Sequence, residues 1–130
     1  MTRSRKREEQ LHRSVVQALR TMMPAPPQGP YWFHPHNEGW RSKAEAGVAK
    51  AMGQRAGNPD LWFVWHGEGR RPFAIELKAP KGRISDNQQS AHQEIHQAGG
   101  GIYVCRKLEE VLEALESEGV PLRGAVKQAN

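Results

Sequence analysis

The stretch "GNPDLWFVWHGEGRRPFAIELKAPKG", from Gly57 to Gly82, decides the fold. "LWFVWH" is rich in aromatic and β-branched residues, "GEGRRP" contains the glycines and the proline of a turn, and "FAIELK" resumes the strand pattern. These features predict a β-hairpin. It carries Asp60 at the entry to its first strand, and Glu76 and Lys78 near the end of its second strand.

The charged residues of the second strand share one face of the sheet. Strand side chains alternate between faces, so Glu76 and Lys78 point away from the apolar side chain of Ile75. In a central strand both charges need compensation, because an unpaired buried ion is costly. Asp60 comes within reach of Glu76 across the hairpin if the register allows. The alternative is an exposed Glu76–Lys78 pair on an edge strand, with Asp60 capping a turn.

This grouping suits hydrolysis of a phosphodiester bond. Two converging carboxylates are ligands for Mg²⁺ or Mn²⁺, which polarise a phosphoryl oxygen and lower the pKa of bound water. A nearby lysine adds positive charge that stabilises the developing anion. The formal net charge is +5, with 19 lysines and arginines against 14 aspartates and glutamates. That balance favours a polyanionic partner such as nucleic acid, although surplus surface charge is the simpler alternative.

Two helices bring further polar side chains toward the hairpin. Gln88 lies on the apolar stripe of a predicted helix between Ile84 and Ala91, so its amide faces the sheet unless it is rotated to the solvated rim. Water or phosphate at an active site would pair such an amide. Glu8 lies one turn before Leu11 on the stripe of the first helix. It supplies a third carboxylate to the metal or a favourable charge at the helix N-terminus.

The remaining pattern predicts an α/β fold with a mixed sheet of about four strands flanked by helices, in the order α-β-α-β-β-α-β-α. Apart from the hairpin strands, the predicted elements are helices over residues 8–21, 41–53, from Ser85 or Asp86 to the glycines at 99–101, and 108–118, and strands over 31–36 and 102–105.

Length and composition predict one domain over residues 1–130, with a basic arm at about 1–6 and a tail at 119–130, both irregular. The lone Cys105 excludes an internal disulfide and a zinc cluster built on cysteines, and it fits a reducing compartment. No apolar run follows the basic start, and no stretch approaches the length of a membrane span. We therefore expect a cytoplasmic protein without a membrane partner.

Pro59-Asp60 followed by Glu76-Leu77-Lys78 resembles the PD-(D/E)xK nuclease signature. The chain as a whole is similar to the stand-alone VRR-NUC domains of phages and bacteria. The similarity extends over "EEQLH", "HNEG", "KAMGQRAGNPDL", "IELKAPKGRIS" and "GGGIYVCRKLEEVLEAL". The resemblance implies a restriction-endonuclease-like core with one helix inserted. It also implies that the protein acts in a bacterial or phage-infected cell.

The resemblance also implies roles for the hairpin residues. Asp60 and Glu76, with the backbone carbonyl of Leu77, would hold Mg²⁺ or Mn²⁺. Lys78 would assist the attacking water. The implied activity is that of a metal-dependent endonuclease acting on DNA.

Two helix positions match the family less definitely. Gln88 corresponds to the helix glutamine that supports the site, and Glu8 corresponds to the acidic position of the first helix. Gln89 and Glu9 are adjacent alternatives, although helical phase favours Gln88 and Glu8.

Substrate and assembly follow from the resemblance as well. Stand-alone family members resemble resolvases of four-way DNA junctions, in which two symmetric cuts call for two active sites. This implies branched DNA as the substrate and a homodimer as the active form. The alternatives are a non-catalytic DNA-binding module with a nuclease-like fold, and an accessory subunit that acts only with a helicase or replication partner.

Other polar residues are weaker candidates. His92 and His96 have a spacing that can bind zinc, but no acidic ligand accompanies them, and His96 turns toward solvent. His34 and His36 share a strand face and are predicted to be structural or to contact phosphate. Residues expected to contact the DNA backbone beside the site, or else to be solvated surface groups, are Arg41, Lys43, Arg70, Arg71, Lys81 and Arg83.

Overall fold

A computed structural model of the chain describes residues 2–35 and 42–124. Within them the elements are α1 (Arg3–Met22), β1 (Tyr31–Phe33), α2 (Lys43–Ala51), β2 (Leu61–Val64), β3 (Phe73–Leu77), α3 (Asp86–Gln97), β4 (Gly101–Cys105) and α4 (Leu108–Ser117). This is the order that the sequence predicts. None of the helices in this part of the chain has the length and apolar character needed to cross a bilayer.

The four strands form one open, mixed sheet in the order β1-β2-β3-β4. β2 is antiparallel to β1 and β3, whereas β4 is parallel to β3 after the crossover through α3. β3 therefore has a strand on each side, and all five of its residues are buried. The edge-strand alternative for Glu76 is wrong, because β1 and β4 form the edges of the sheet.

Helices cover both faces of this central strand. On one face, α1 and α4 contribute Val15, Leu19 and Leu115 to a core that includes the stacked rings of Phe63 and Phe73, whose centroids lie 4.6 Å apart. On the other face, α3 packs through its buried Ala91, the side toward which Glu76 points. The site described below thus lies under α3.

The sequence predicts a sheet flanked by helices, but within the described residues the helices leave part of the second face uncovered. The side chains of Tyr31, Phe33 and Val64 share that face and remain exposed at the β1 edge. The strand alternation that buries Phe63 turns its neighbour Val64 outward, and α3 packs over the opposite half of the sheet. An exposed apolar strip along the β1 edge of the sheet, formed by two residues of β1 and one of β2, is therefore part of this surface.

The first helix begins earlier than predicted. Arg3–Arg7 are helical, so the expectation of an irregular arm at about 1–6 is wrong for the residues from Arg3 onward. The side chain of Thr2 caps the helix by accepting a hydrogen bond from the Arg5 backbone N–H. Apolar periodicity begins only at Leu11, whereas lysine and arginine are good helix formers without it. In the tail, residues 119–124 contain no helix or strand, as predicted.

Candidate active site

Glu76 is the centre of the buried polar cluster. Its side chain extends from β3 toward α3 and is 2% exposed. The Gln88 side-chain amide donates to Glu76 Oε2 at 3.1 Å, and His92 Nε2 lies 3.2 Å from Glu76 Oε1. Gln88 and His92 stand four residues apart, which places them on one face of α3. Both carboxyl oxygens of Glu76 therefore have partners on that helix.

Asp60 approaches Glu76 from the neighbouring strand. It immediately precedes β2, in which Leu61 pairs with Ile75 of β3, so it lies at the same end of the hairpin as Glu76. Asp60 Oδ2 accepts a hydrogen bond from the Leu77 backbone N–H at 2.7 Å. The two carboxyl groups are close enough for a hydrogen bond between them. The structure thus brings together the aspartate and glutamate that the sequence singled out.

The electrostatics of Glu76 follow from its position. Burial raises its pKa from 4.5 to about 9, with further upward contributions from the charge of Asp60, a hydrogen bond to Asp60 and the charge of Glu8, while the charge of Lys78 opposes the shift. The pKa of His92 is lowered by burial and by the charge of Lys78. Before a metal ion binds, these shifts favour a neutral hydrogen-bonded pair of Glu76 and His92 over an ion pair.

This arrangement fits a divalent cation. The buried carboxyl group of Glu76 and the partly buried one of Asp60 repel each other when both are ionised, and a bound cation reverses that penalty. A strand residue points its N–H and its carbonyl to the same neighbour, so the Leu77 carbonyl faces the Asp60 side, as its N–H does. Carboxylate and carbonyl oxygens are the ligands that Mg²⁺ and Mn²⁺ prefer. The residues present are therefore able to hold either ion.

Glu8, rather than Glu9, faces this cluster. Glu8 is half-buried, its charge acts on Glu76, and its carboxylate lies against Gly82, where a Cβ would be 3.2 Å from Glu8 Oε2. Glu9 is exposed and forms an ion pair with Arg13 at 3.0 Å. Helical phase predicted this choice between the two adjacent glutamates.

Lys78 is the cation of the cluster and is 8% exposed. Its backbone N–H continues the β3–β4 ladder by donating to the Cys105 carbonyl at 3.0 Å. Its side chain leaves the strand on the same face as Glu76, where its charge opposes the rise in the pKa of Glu76 and adds to the lowering of the pKa of His92 by burial. The ammonium group therefore lies within electrostatic range of the proposed metal ligands.

Local backbone features position Asp60 and Gln88. Gly57 has a φ of +84°, and a Cβ there would overlap the Asn87 carbonyl group and lie 2.6 Å from the Gln88 backbone nitrogen. The loop that leads to Asp60 can therefore pack directly on the first turn of α3. That turn is closed by a capping box, in which Ser85 and Gln88 each accept the other's backbone N–H. Gln88 thus caps α3 through its oxygen and holds Glu76 through its nitrogen.

Beside the cluster a cleft of about 480 Å³ opens to solvent. It is lined by Arg5, Glu8, Glu9, His12, Arg13, His34, Asp60 and Leu77. Asp60 and Leu77, two of the proposed metal ligands, therefore border a space that a substrate can enter. Arg5 lines the cleft as part of α1, whereas the sequence predicted an irregular arm at this position.

The contacts of three further residues near the site were not predicted from the sequence. His92 has Glu76 as an acidic neighbour, contrary to the expectation that no acidic residue accompanies it. Its position one helical turn after Gln88 was the available signal. Arg106 donates through Nη1 to the carbonyls of Ala79 and Gly82 at 2.7 and 2.8 Å, which fixes the loop after Lys78. His12 was not considered, although it lies one turn after Glu8.

The predicted DNA-contacting residues separate into three groups. Lys43, Lys81 and Arg83 are exposed. Arg41, like His36, lies outside the described residues. Arg70 and Arg71 do not flank the site.

The expectation for these two arginines is wrong because the hairpin strands are antiparallel. Their turn lies at the opposite end of β3 from Glu76. Arg70 stacks on the Trp65 ring, 4.0 Å from its centroid, and Arg71 forms an ion pair with Glu118 at 2.8 Å. Both arginines therefore make their contacts at the turn end of the hairpin, remote from Glu76.

Comparison with known proteins agrees with this fold. The model of the VRR-NUC domain family matches residues 6–107, well over half of the chain. A solved structure described as a VRR_NUC domain protein has a TM-score of 0.67 and 18% identity, and the match covers 85% of this chain and 86% of that one. At this identity the likeness concerns the fold. No match was found among curated proteins.

Glu76→Gln tests the electrostatics of the cluster in protein without divalent metal ions. Because the pKa of Glu76 rises from 4.5 to about 9 on folding, the wild-type free energy of unfolding should fall as pH rises through this interval. Glutamine keeps a neutral side chain of similar shape, so at about pH 8 the variant should be more stable by on the order of 2 kcal/mol.

Urea unfolding at a series of pH values measures this effect. Glu116→Gln, an exposed substitution on α4, serves as the control and should leave the pH dependence unchanged. Identical pH slopes for wild type and Glu76→Gln would show that Glu76 is not a strained buried acid.

Proposed function

The chain belongs to the VRR-NUC family, and from that premise we propose that it is a divalent-metal-dependent endonuclease that hydrolyses phosphodiester bonds in DNA. The observation that supports this most directly is the convergence of Asp60 and Glu76 at one end of the hairpin, with Lys78 buried beside them. A cleft borders Asp60 and gives a substrate access to this cluster.

The proposed metal ligands are the carboxylates of Asp60 and Glu76 and the carbonyl of Leu77, with Glu8 as a further candidate. When bound, Mg²⁺ or Mn²⁺ polarises the phosphoryl oxygen and lowers the pKa of a bound water. The Leu77 N–H donates to one carboxylate oxygen of Asp60 and holds the side chain in place. The second oxygen of that carboxylate therefore also has a fixed orientation. Glu76 is held by Gln88 and gives up its proton when the ion binds.

Lys78 has the role of orienting the attacking water and stabilising the charge that develops on the phosphoryl oxygens. Its burial supports this role, because the attraction between charges is stronger where water is excluded. Gln88 and His92 are positioning residues, since they contact Glu76 and limit its side-chain rotation. A correctly oriented carboxylate requires no rearrangement when substrate arrives.

DNA contacts in this proposal come from exposed cations. Lys43, Lys81 and Arg83 are available for phosphate oxygens, and Arg5 lines the cleft itself. Such contacts hold the backbone without reading sequence, so DNA binding should weaken as salt concentration rises. The net charge of +5 supports the same mode of binding.

Asp60→Ala and Lys78→Ala should each lower the rate of DNA cleavage in Mg²⁺ or Mn²⁺ by about 10²-fold or more, because each removes a group that stabilises the transition state. DNA binding should largely persist. Lys50→Ala, at an exposed lysine on α2 that is not among the proposed DNA contacts, is the matched control and should retain cleavage. Full activity in purified, folded Asp60→Ala or Lys78→Ala would refute the assignment.

The same assay separates the two alternatives. A non-catalytic DNA-binding module would bind DNA but show no EDTA-sensitive cleavage in the wild type. An accessory subunit would be inactive alone and would gain activity when a helicase or replication partner is added.

We further propose that the substrate is branched DNA and that the active form is a homodimer. This extension rests on the resemblance to junction resolvases. The exposed apolar strip of Tyr31 and Phe33 on edge strand β1 and Val64 on the adjacent β2 supports it, because such a surface is suited to pairing with a second copy.

Wild-type protein should therefore have twice the monomer mass by light scattering and should cut four-way junctions faster than matched linear duplexes. Tyr31→Glu places a charge in the strip and should favour monomers, whereas Val48→Glu, at an exposed apolar position on α2, should not. A monomeric wild type that cuts linear and branched DNA at equal rates would rule out this extension while leaving the nuclease assignment in place.

A further inference from the structure

Three side chains from separate parts of the chain meet at the edge of the cleft. His12 comes from α1, His34 follows β1, and Asp60 precedes β2. Each offers one ligand atom, and these atoms all lie within 4.8 Å of one another. All three residues line the same cleft. Neither histidine is needed for the oxygen-ligand centre of Asp60, Glu76 and Leu77.

The strand order places the two sets of donors on opposite sides of Asp60. β2 lies between β1 and β3, and Phe33 pairs with Trp62, so His34 lies beside the entry to β2. Glu76 belongs to β3 on the other side. The Asp60 carboxylate is therefore the group that the oxygen set and the imidazole set have in common.

The hydrogen bond of His34 determines which of its nitrogens is available. His34 Nδ1 lies 2.6 Å from the Asp60 backbone carbonyl oxygen, which can only accept. Nδ1 is therefore protonated, and in the neutral ring Nε2 carries the lone pair that a metal ion binds. Histidine ligands to metals are commonly fixed in this way, with the second nitrogen donating to a backbone carbonyl.

His12 is positioned against the same ring. The two imidazoles are in edge-to-face contact, with centroids 4.5 Å apart and an interplanar angle of 88°. His12 is half-buried, which restricts its side chain, while His34 is exposed toward the cleft. Two imidazoles and a carboxylate are thus gathered by three elements before any ion binds.

We propose that His12, His34 and Asp60 form a second metal site, which binds Zn²⁺ or a transition-metal ion of similar chemistry. Two nitrogen donors and one carboxylate suit Zn²⁺, whereas Mg²⁺ takes oxygen ligands and retains its waters. Three protein ligands leave a coordination position open toward the cleft. Ion binding here does not depend on the proposed nuclease function, since it is measured without DNA.

A Zn²⁺ titration of the full chain by calorimetry tests the site. His12→Asn and His34→Asn should each weaken Zn²⁺ binding by about tenfold or more, because each removes a nitrogen ligand. Glu76→Gln removes no ligand of this site, although Glu76 contacts Asp60, and should lower the affinity less than either histidine variant does. His96→Asn, at an exposed histidine on α3, is the matched control and should have no effect.

Imidazole ¹⁵N NMR of the wild type provides a measurement that does not rely on variants. Addition of Zn²⁺ should shift the ring nitrogens of His12 and His34 and leave those of His96 in place. If His34→Asn does not fold, His12→Asn preserves the bond between His34 and the Asp60 carbonyl and still tests the site.

The proposal is overturned if both histidine variants retain wild-type affinity, if the ring nitrogens do not shift, or if Glu76→Gln loses as much affinity as the histidine variants. The last result would place Zn²⁺ at the oxygen ligands alone. Zn²⁺ binding as expected in a protein that cleaves no DNA would sustain the second site and reject the nuclease function. DNA cleavage without Zn²⁺ binding at the histidines would do the reverse.

Discussion

The rest of this site depends on one constraint, the burial of the Glu76 carboxyl group beside Asp60 in the central strand. An acid in this position is costly when ionised, and its raised pKa is the direct expression of that cost. Each neighbour offsets part of the cost: Gln88 donates to it, His92 is hydrogen-bonded to it, and Lys78 brings positive charge nearby. A divalent cation between the carboxylates would complete the compensation, which connects the fold to the proposed chemistry.

The surrounding backbone is built to keep that cluster together. The short hairpin aligns the entry of β2 with the end of β3, and the glycine at position 57 lets the loop before Asp60 pack on α3. The first turn of α3 is capped by Gln88, which also contacts Glu76, so the helix start and the site share one side chain. Arg106 fixes the loop beyond Lys78. Local structure and site geometry are therefore determined by the same contacts.

Much of this could be predicted from the sequence, because alternation and helical phase are local. They predicted the hairpin, the common face of Glu76 and Lys78, and the orientation of Gln88 and Glu8 toward the sheet. Apolar periodicity did not predict the polar start of α1, because that turn is stabilised by the Thr2 cap and by the helix propensity of its residues. The meeting of His12 with His34 depends on how α1 packs across the ends of the strands, which no spacing in the sequence reveals.

The claim that Asp60 and Glu76 jointly bind a hard divalent cation is tested most directly by heat unfolding at increasing Mg²⁺ concentrations. An ion that binds only the folded state raises the unfolding temperature once the ion concentration exceeds the dissociation constant. The wild-type midpoint should rise steadily with Mg²⁺, and that of Glu76→Gln should stay constant over the same range. An equal rise in both proteins would place the ion elsewhere and contradict the role assigned to this buried pair.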